Sequence, residues 1–225
     1  MHAPGKRLTF GKMQNPVRGI LHGSAALLSL VGGVALWMRT AGHPSRQLAM
    51  LVFAASMVAL YTASSLYHSV PWRDVWKSRM QRLDHAMIYV LVAGTYTPIA
   101  FVMLAGALRW IALAMTWGIA LVGIFQKTLR PRVGHRFSIT MQTIQGWLAI
   151  PLLGPLAHQL PSTALLQVVL GGALYTVGLV LFVTKRPRLW PQVFSYHEMF
   201  HVFVVAGSAT HYLVIFRYVA GFPGT

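Results

Sequence analysis

The sequence predicts an all-α, polytopic membrane protein with seven transmembrane helices, and three features of the chain predict it. Hydrophobic residues make up 56% of the 225 residues and charged residues only 10%, whereas a soluble domain carries roughly 25% charged residues. The apolar residues gather into stretches of about 20 residues, the length that crosses a bilayer as a helix. The Lys and Arg residues fall in short clusters between these stretches. Such a chain has too little polar surface for a water-soluble globule.

The seven predicted spans follow one another with short connections. They cover residues 18–38, 47–70, 84–106, 107–126, 137–156, 163–184 and 197–219. Helix-breaking prolines mark most connections, namely Pro44, Pro71, Pro131, Pro161, Pro187 and Pro191. The third and fourth spans are joined closely around residues 105–109. Because no room remains for a soluble domain, we expect a flexible basic tail over residues 1–14 and one transmembrane domain over residues 15–225.

The basic residues predict the orientation of the chain. Fifteen of the 19 Lys and Arg residues fall in the N-terminal tail and in the second, fourth and sixth connections. The remaining four, Arg39, Arg46, Arg109 and Arg217, fall on the other side. Since cytoplasmic loops are enriched in Lys and Arg, the N-terminus is expected in the cytoplasm and the C-terminus outside. That arrangement requires an odd number of spans, in agreement with seven.

Composition also narrows the partners and the metal chemistry. The net charge is +16, and the basic residues that carry it lie between apolar spans. They therefore indicate contacts with anionic lipid headgroups rather than with nucleic acid. The chain has no cysteine, which excludes thiolate ligands. Any metal site must therefore use imidazole, carboxylate, hydroxyl or backbone oxygen.

The few acidic residues lie in informative places. There are three in the chain, and two adjoin histidines: Asp84 begins the third predicted span, and Glu198 lies between His197 and His201. Ionisable groups in spanning segments are costly and are candidates for function. Asp84 could equally be the N-cap of its helix. Glu198 is predicted to act as a first-turn carboxylate that favours the helix dipole.

Three histidines reach a common depth under the predicted orientation. His68 ends the second span with Ser64 one turn deeper, while His197 and His201 begin the seventh span. The spacing of four residues places each of these pairs on one helix face. Each histidine alone is more typical of an interfacial residue, but together they indicate a metal site. His22 in the first span could join the cluster or pack against a neighbouring helix.

Three imidazoles with one open position form the ligand set of a catalytic zinc ion, although Fe, Co or Mn could occupy the same ligands. Asp84 would accept a proton from the water that zinc activates near neutral pH. Ser64 would orient a ligand or a substrate oxygen.

Two other patterns have structural and functional interpretations. The run from Gly94 to Pro98 either kinks the third span beside a cavity or satisfies backbone groups with its hydroxyls. The pairs Gly32-Gly33 and Gly171-Gly172 are predicted points of close helix packing.

These motifs resemble the hemolysin III family, the bacterial branch of the progestin and adipoQ receptor superfamily. The resemblance rests on Ser64-x-x-x-His68, Leu83-Asp84-His85, Ala93-Gly94-Thr95-Tyr96-Thr97-Pro98 and His197-x-x-x-His201, and it covers about residues 15–212. That superfamily includes the adiponectin receptors and is more distantly related to alkaline ceramidases. One departure lies in the first span, where the family often has Glu and Asn seven and four residues before a histidine. Here Asn15 and Arg18 precede His22.

The resemblance implies a seven-helix protein of the bacterial inner membrane with zinc bound by His68, His197 and His201. It implies that Asp84 meets the zinc through water and that Ser64 belongs to the same motif. Three functions follow as expectations. The first is hydrolysis of a lipid amide or ester with an acyl chain. The second is a non-catalytic role in membrane homeostasis or reception with structural zinc. A cytolytic pore is the third, and it fits less well because no span has a regular polar stripe.

Overall fold

The computed structural model describes residues 13–129, 135–190 and 193–223. The regular secondary structure of this part of the chain is helical, with one isolated bridge between Trp190 and Phe194. It contains the helices α1 (Pro16–Arg39), α2 (Pro44–Ser69), α3 (Asp74–Met103), α4 (Gly106–Leu129), α5 (His135–Trp147), α6 (Ile150–Ala157), α7 (Ser162–Thr184) and α8 (Tyr196–Val214). A π-helical turn, Ile215–Val219, extends α8. The predicted all-α class is confirmed, and the predicted basic tail lies almost wholly outside the described residues.

Six stretches are long and apolar enough to cross a membrane in the described part of the chain. They are Pro16–Arg39, Pro44–Ser69, Asp74–Met103, Gly106–Thr128, Ser162–Thr184 and Tyr196–Val219. These correspond to six of the seven predicted spans. The chain is therefore a polytopic membrane protein.

The fifth predicted span, residues 137–156, is divided between two shorter helices. α5 ends at Trp147 and α6 begins at Ile150. Pro151 explains the break, because it lacks the N–H that would bond the carbonyl of Trp147 and its ring clashes with that carbonyl. Neither helix alone is long enough to cross a bilayer.

The third span begins earlier than predicted. α3 starts at Asp74 with Arg73 as its N-cap, so most of the predicted second loop is helix. Asp84 therefore lies well inside α3, and the interpretation of Asp84 as an N-cap is wrong. The sequence misled here because the first turns of α3 carry exposed charged residues rather than apolar ones.

Pro98 does not end α3, which continues to Met103. The hydroxyls of Thr95 and Thr97 donate to the carbonyls of Leu91 and Ala93, each at 2.8 Å. Thr95 also lines the central cavity. Both interpretations of this run are thus partly right: its hydroxyls bond the backbone, and one of its faces borders a cavity.

The helices form a closed ring. α1 to α4 pack in sequence, α7 packs on α8, and α8 returns to α1. α5 contacts α3 and α4, while α5 and α6 touch α7 only sparsely. A cavity of about 650 Å³ lies inside this ring.

The outer surface of the ring is apolar. Leu28 is 70% exposed and Val31 is 69% exposed, and Leu166 on α7 is exposed to a similar extent. Soluble monomers rarely expose large contiguous apolar patches. Hydrocarbon is the environment that such a surface fits.

Glycines allow several close helix approaches. A Cβ on Gly33 would lie 2.9 Å from the Cβ of Ala54 in α2, and one on Gly32 would lie 2.9 Å from the ring of Tyr212. Gly171 packs closely as well, but Gly172 has no atom within 4 Å of such a Cβ. Close packing is confirmed for three of the four predicted glycines, and Gly172 instead lines the cavity.

Candidate metal centre

Three histidines meet at one end of the cavity. His68 ends α2, and His197 and His201 lie one turn apart near the start of α8. One ligand nitrogen from each residue lies within 4.8 Å of the other two. The centroid of the His68 ring lies 5.3 Å from that of the His197 ring and 4.8 Å from that of the His201 ring. The sequence predicted that these three residues would meet, and they do.

The chemistry of this cluster fits a metal ion. His68 and His201 are buried, and His197 is half-buried. Nε2 of His68 and Nδ1 of His201 have no hydrogen-bond partner in the described part of the chain. A buried polar nitrogen without a partner is destabilising, and a bound ion would satisfy both. Three imidazoles without a thiolate are a ligand set that suits zinc.

The start of α8 is fixed by a capping box. The Ser195 side chain accepts from the N3 backbone N–H, and the Glu198 side chain accepts from the Ser195 N–H, at 2.8 Å. This arrangement satisfies two otherwise unpaired donors at the helix end. It sets the first turn of α8, from which His197 and His201 project. The predicted first-turn role of Glu198 is confirmed.

Glu198 has a second partner that the sequence analysis missed. Arg18 Nε donates to Glu198 Oε1 at 2.7 Å, linking α1 to α8. The side chains are only 17% and 8% exposed, respectively. A charge-assisted bond of this kind is stronger than a neutral one. The signal available in the sequence was an unusual arginine in the first span together with an unpaired acid beside the histidines.

The altered first-span motif lies against the histidine cluster and the first turn of α8. The backbone N–H of Asn15 donates to the carbonyl of His68 at 3.0 Å, and Arg18 pairs with Glu198. His22 is buried with its ring 4.0 Å from the ring of His201. His22 thus packs against a neighbouring helix, as one of the two interpretations predicted.

Asp84 and Ser64 lie beside each other on the cavity wall. Both are buried, and the Ser64 side chain lies close enough to hydrogen-bond the Asp84 carboxyl group. Asp84 is 8% exposed. Both residues line the same cavity as His197 and His201, and Ser64 lies one helical turn from His68 on α2.

Many of the other residues in the cavity wall are apolar. They include Leu60, Leu91, Ile99, Val168 and Val204. Ligand pockets commonly have volumes of about 300–1,000 Å³ and a few placed polar groups. The volume of about 650 Å³ falls in that range.

The fold and the site define a polytopic helical membrane protein with a buried histidine triad that could hold a metal ion. The chain belongs to the haemolysin-III related family, whose sequence profile matches residues 10–212. This confirms the resemblance drawn from the motifs.

Relatives are similar over nearly the whole chain. Hemolysin-3 of Bacillus cereus is 34% identical over 215 residues, which cover 95% of each chain. The hemolysin-3 homolog of Bacillus subtilis (strain 168) is 32% identical over 206 residues, covering 91% of this chain and 93% of the relative. Human monocyte to macrophage differentiation factor is 23% identical over 208 residues, which cover 88% of this chain and 81% of the relative.

Proposed function

We propose that this protein is a zinc-dependent intramembrane hydrolase of lipid amides or esters. The observation that carries the proposal is the shared cavity. His197, His201, Asp84 and Ser64 line one largely apolar space of about 650 Å³, and His68 completes the ligand triad with the two histidines. An acyl chain fits the apolar wall, and the scissile carbonyl fits its polar end.

His68, His197 and His201 would hold the ion. Bound zinc supplies Lewis acidity, which polarises a carbonyl and makes water nucleophilic near neutral pH. Asp84 accepts the proton of the attacking water on its carboxylate and returns it to the leaving amine or alkoxide. Ser64, next to Asp84, orients that carboxylate or the substrate oxygen.

The orientation and location belong to the same proposal. The distribution of basic residues supports an N-terminus and a histidine cluster on the cytoplasmic side of a bacterial inner membrane. Membrane lipids, including the acyl-chain substrate, are the partners. Anionic headgroups would meet the exposed basic residues of α3, such as Lys77 and Arg79.

Lipid turnover tests the proposal. Purified protein in nanodiscs of bacterial lipid doped with a ceramide and an acyl ester is incubated with zinc, and fatty-acid release is measured by mass spectrometry. We expect release by wild type and at least 100-fold less by Asp84→Asn at equal zinc content, because loss of a general base typically costs 10²–10⁴-fold. Equal release from both proteins, or none from wild type, would contradict hydrolysis.

A second function is favoured by a different observation. The three histidines come from α2 and α8, so an ion there would cross-link two helices that are far apart in the sequence. In a non-catalytic role, zinc would stabilise the fold of a membrane-homeostasis or receptor-like protein. In that case His68→Ala lowers thermal stability and no lipid product forms at any zinc concentration. Dye release from the same vesicles tests the cytolytic alternative.

A further inference from the structure

The cavity has a second polar end, which lies on α7 and α8. Tyr175 and His211 both line it, and their rings stack with centroids 5.7 Å apart at an interplanar angle of 21°. His211 follows His201 by ten residues on α8, a separation of about 15 Å along a helix axis. Together with Ser208 and Tyr61, these residues form what we call the deep polar cluster. None of its four residues is a candidate metal ligand, and its nearest link to them is the Tyr61 ring, which packs edge-on against His22 with centroids 5.0 Å apart.

Two glycines hold the rings of this cluster in place. A Cβ on Gly171 of α7 would lie 2.6 Å from Nε2 of His211, and a Cβ on Gly207 of α8 would lie 2.9 Å from Cε1 of Tyr175. Each ring thus occupies the space over a glycine on the facing helix. Because the interlocking is reciprocal, both polar side chains have a fixed position on the cavity wall.

The deep polar cluster has hydrogen-bonding capacity to spare. The Tyr61 hydroxyl donates to Ser208 Oγ at 2.6 Å, and Ser208 Oγ lies 2.8 Å from the Tyr175 hydroxyl. Either hydroxyl of the Ser208–Tyr175 pair can be the donor, so one of the two keeps a hydrogen for a further acceptor. The imidazole of His211 is buried, and its Nδ1 has no hydrogen-bond partner among the described residues. Unsatisfied groups of this kind are costly unless a ligand or water meets them.

The surroundings restrict the ligand to a neutral polar group. No Lys, Arg, Asp or Glu belongs to the deep polar cluster, and apolar residues such as Leu60 and Val204 line the cavity with it. Burying a charge in such surroundings costs far more than burying a hydroxyl that finds partners. A hydroxyl can both accept from Tyr175 and donate to an imidazole nitrogen.

We propose that the deep polar cluster binds a hydroxyl group carried on the hydrocarbon chain of the lipid ligand. This deepens the proposed function, because it specifies the chain of the substrate as well as its carbonyl end. The preferred ligand is a hydroxylated acyl chain whose polar head lies at the histidine triad.

Binding rather than turnover tests this subsite. Dodecanoic acid and ω-hydroxydodecanoic acid are titrated calorimetrically into wild type and Tyr175→Phe in nanodiscs, with empty nanodiscs subtracted. Wild type should bind the hydroxy acid about tenfold more tightly, which corresponds to about 1.4 kcal/mol. Tyr175→Phe should lose that preference while binding dodecanoic acid as wild type does, since its ring still packs on Gly207.

Tyr212→Phe is the matched control. The Tyr212 hydroxyl donates to the carbonyl of Gly32 at 3.1 Å, away from the cavity, so this variant should keep the full preference. Gly171→Ala, which displaces the His211 ring, should reduce the preference as Tyr175→Phe does. Equal affinity of wild type for both acids, no binding of either, or an unchanged preference in Tyr175→Phe would overturn the proposal.

The same titration separates this inference from the proposed hydrolysis. Neither acid contains an amide or ester bond, so neither can be hydrolysed during the measurement. The hydroxyl preference can therefore be found even if no lipid is turned over, and its absence would overturn the subsite whether or not lipid is hydrolysed.

Discussion

The ion pair between Arg18 and Glu198 gives the most quantitative prediction. Glu198→Gln keeps an amide oxygen that can accept the Ser195 N–H, so the capping box survives, but it removes the charge that Arg18 meets at 2.7 Å. Charge-assisted hydrogen bonds contribute about 1.5–3 kcal/mol. Because Arg18 is 17% exposed and partly hydrated, we expect a loss of about 2 kcal/mol, less than for a fully buried pair.

Glu198→Ala should cost about 1 kcal/mol more than Glu198→Gln, because it also removes the cap. In chains of this size 1 kcal/mol corresponds to roughly 2–4 °C in Tm, so the two variants should melt about 4–8 °C and 6–12 °C below wild type. The assay is thermal unfolding of purified protein in detergent, followed by size-exclusion chromatography of the soluble fraction. Asp74→Asn is the control, since Asp74 is an exposed first-turn acid and its loss should cost about 0.5 kcal/mol.

A double-mutant cycle with Arg18→Gln isolates the pair. If the bond matters as described, the double variant should be more stable than the sum of the two single losses implies, by about 1–2 kcal/mol. Strict additivity, or a Glu198→Gln variant that melts with wild type, would refute the reasoning.

Three more predictions concern the chemistry, the packing and the topology. Asp84→Asn should retain zinc but lose lipid hydrolysis, because the amide cannot accept a proton; metal analysis and product assay on the same sample check this. Gly123→Ala should lower thermal stability, since its Cβ would lie 2.6 Å from the Tyr89 ring, whereas Gly118→Ala, with nothing within 4 Å, should be neutral or stabilising by up to about 1 kcal/mol. Alkaline phosphatase fused after the C-terminus should be active in bacterial cells and green fluorescent protein there should be dark; the reverse pattern would invert the proposed orientation.

The helices could be predicted from the sequence where the length of an apolar stretch alone determines whether a span forms. Six helices match predicted spans because each has an uninterrupted apolar stretch. The sequence predicts a continuous fifth span because Pro151 lies among apolar residues, and hydropathy does not register a missing N–H. The start of α3 was misplaced for the opposite reason, since its first turns are helical but charged.

The candidate metal ligands could be predicted from the sequence, but the residues that position them could not. His197 and His201 share a helix face through their spacing, and His68 joins them because α2 and α8 face the same cavity. Arg18 and Asn15 were recognised only as departures from a motif. Their contacts with Glu198 and with the backbone of His68 depend on how α1 packs beside α8, which no local pattern encodes.

The most direct test of the account is the metal content of purified protein. Wild type, His201→Ala and His158→Ala are expressed with zinc and purified without chelator, and their metal content is measured by inductively coupled plasma mass spectrometry. His158→Ala is the control, because His158 is an exposed residue outside the histidine cluster. The histidine triad predicts about one zinc per chain in wild type and His158→Ala and a loss of at least about tenfold in His201→Ala, since ligand removal should cost no less than removal of a supporting residue. Wild type that carries no metal, or His201→Ala that retains as much as wild type, would contradict the metal centre.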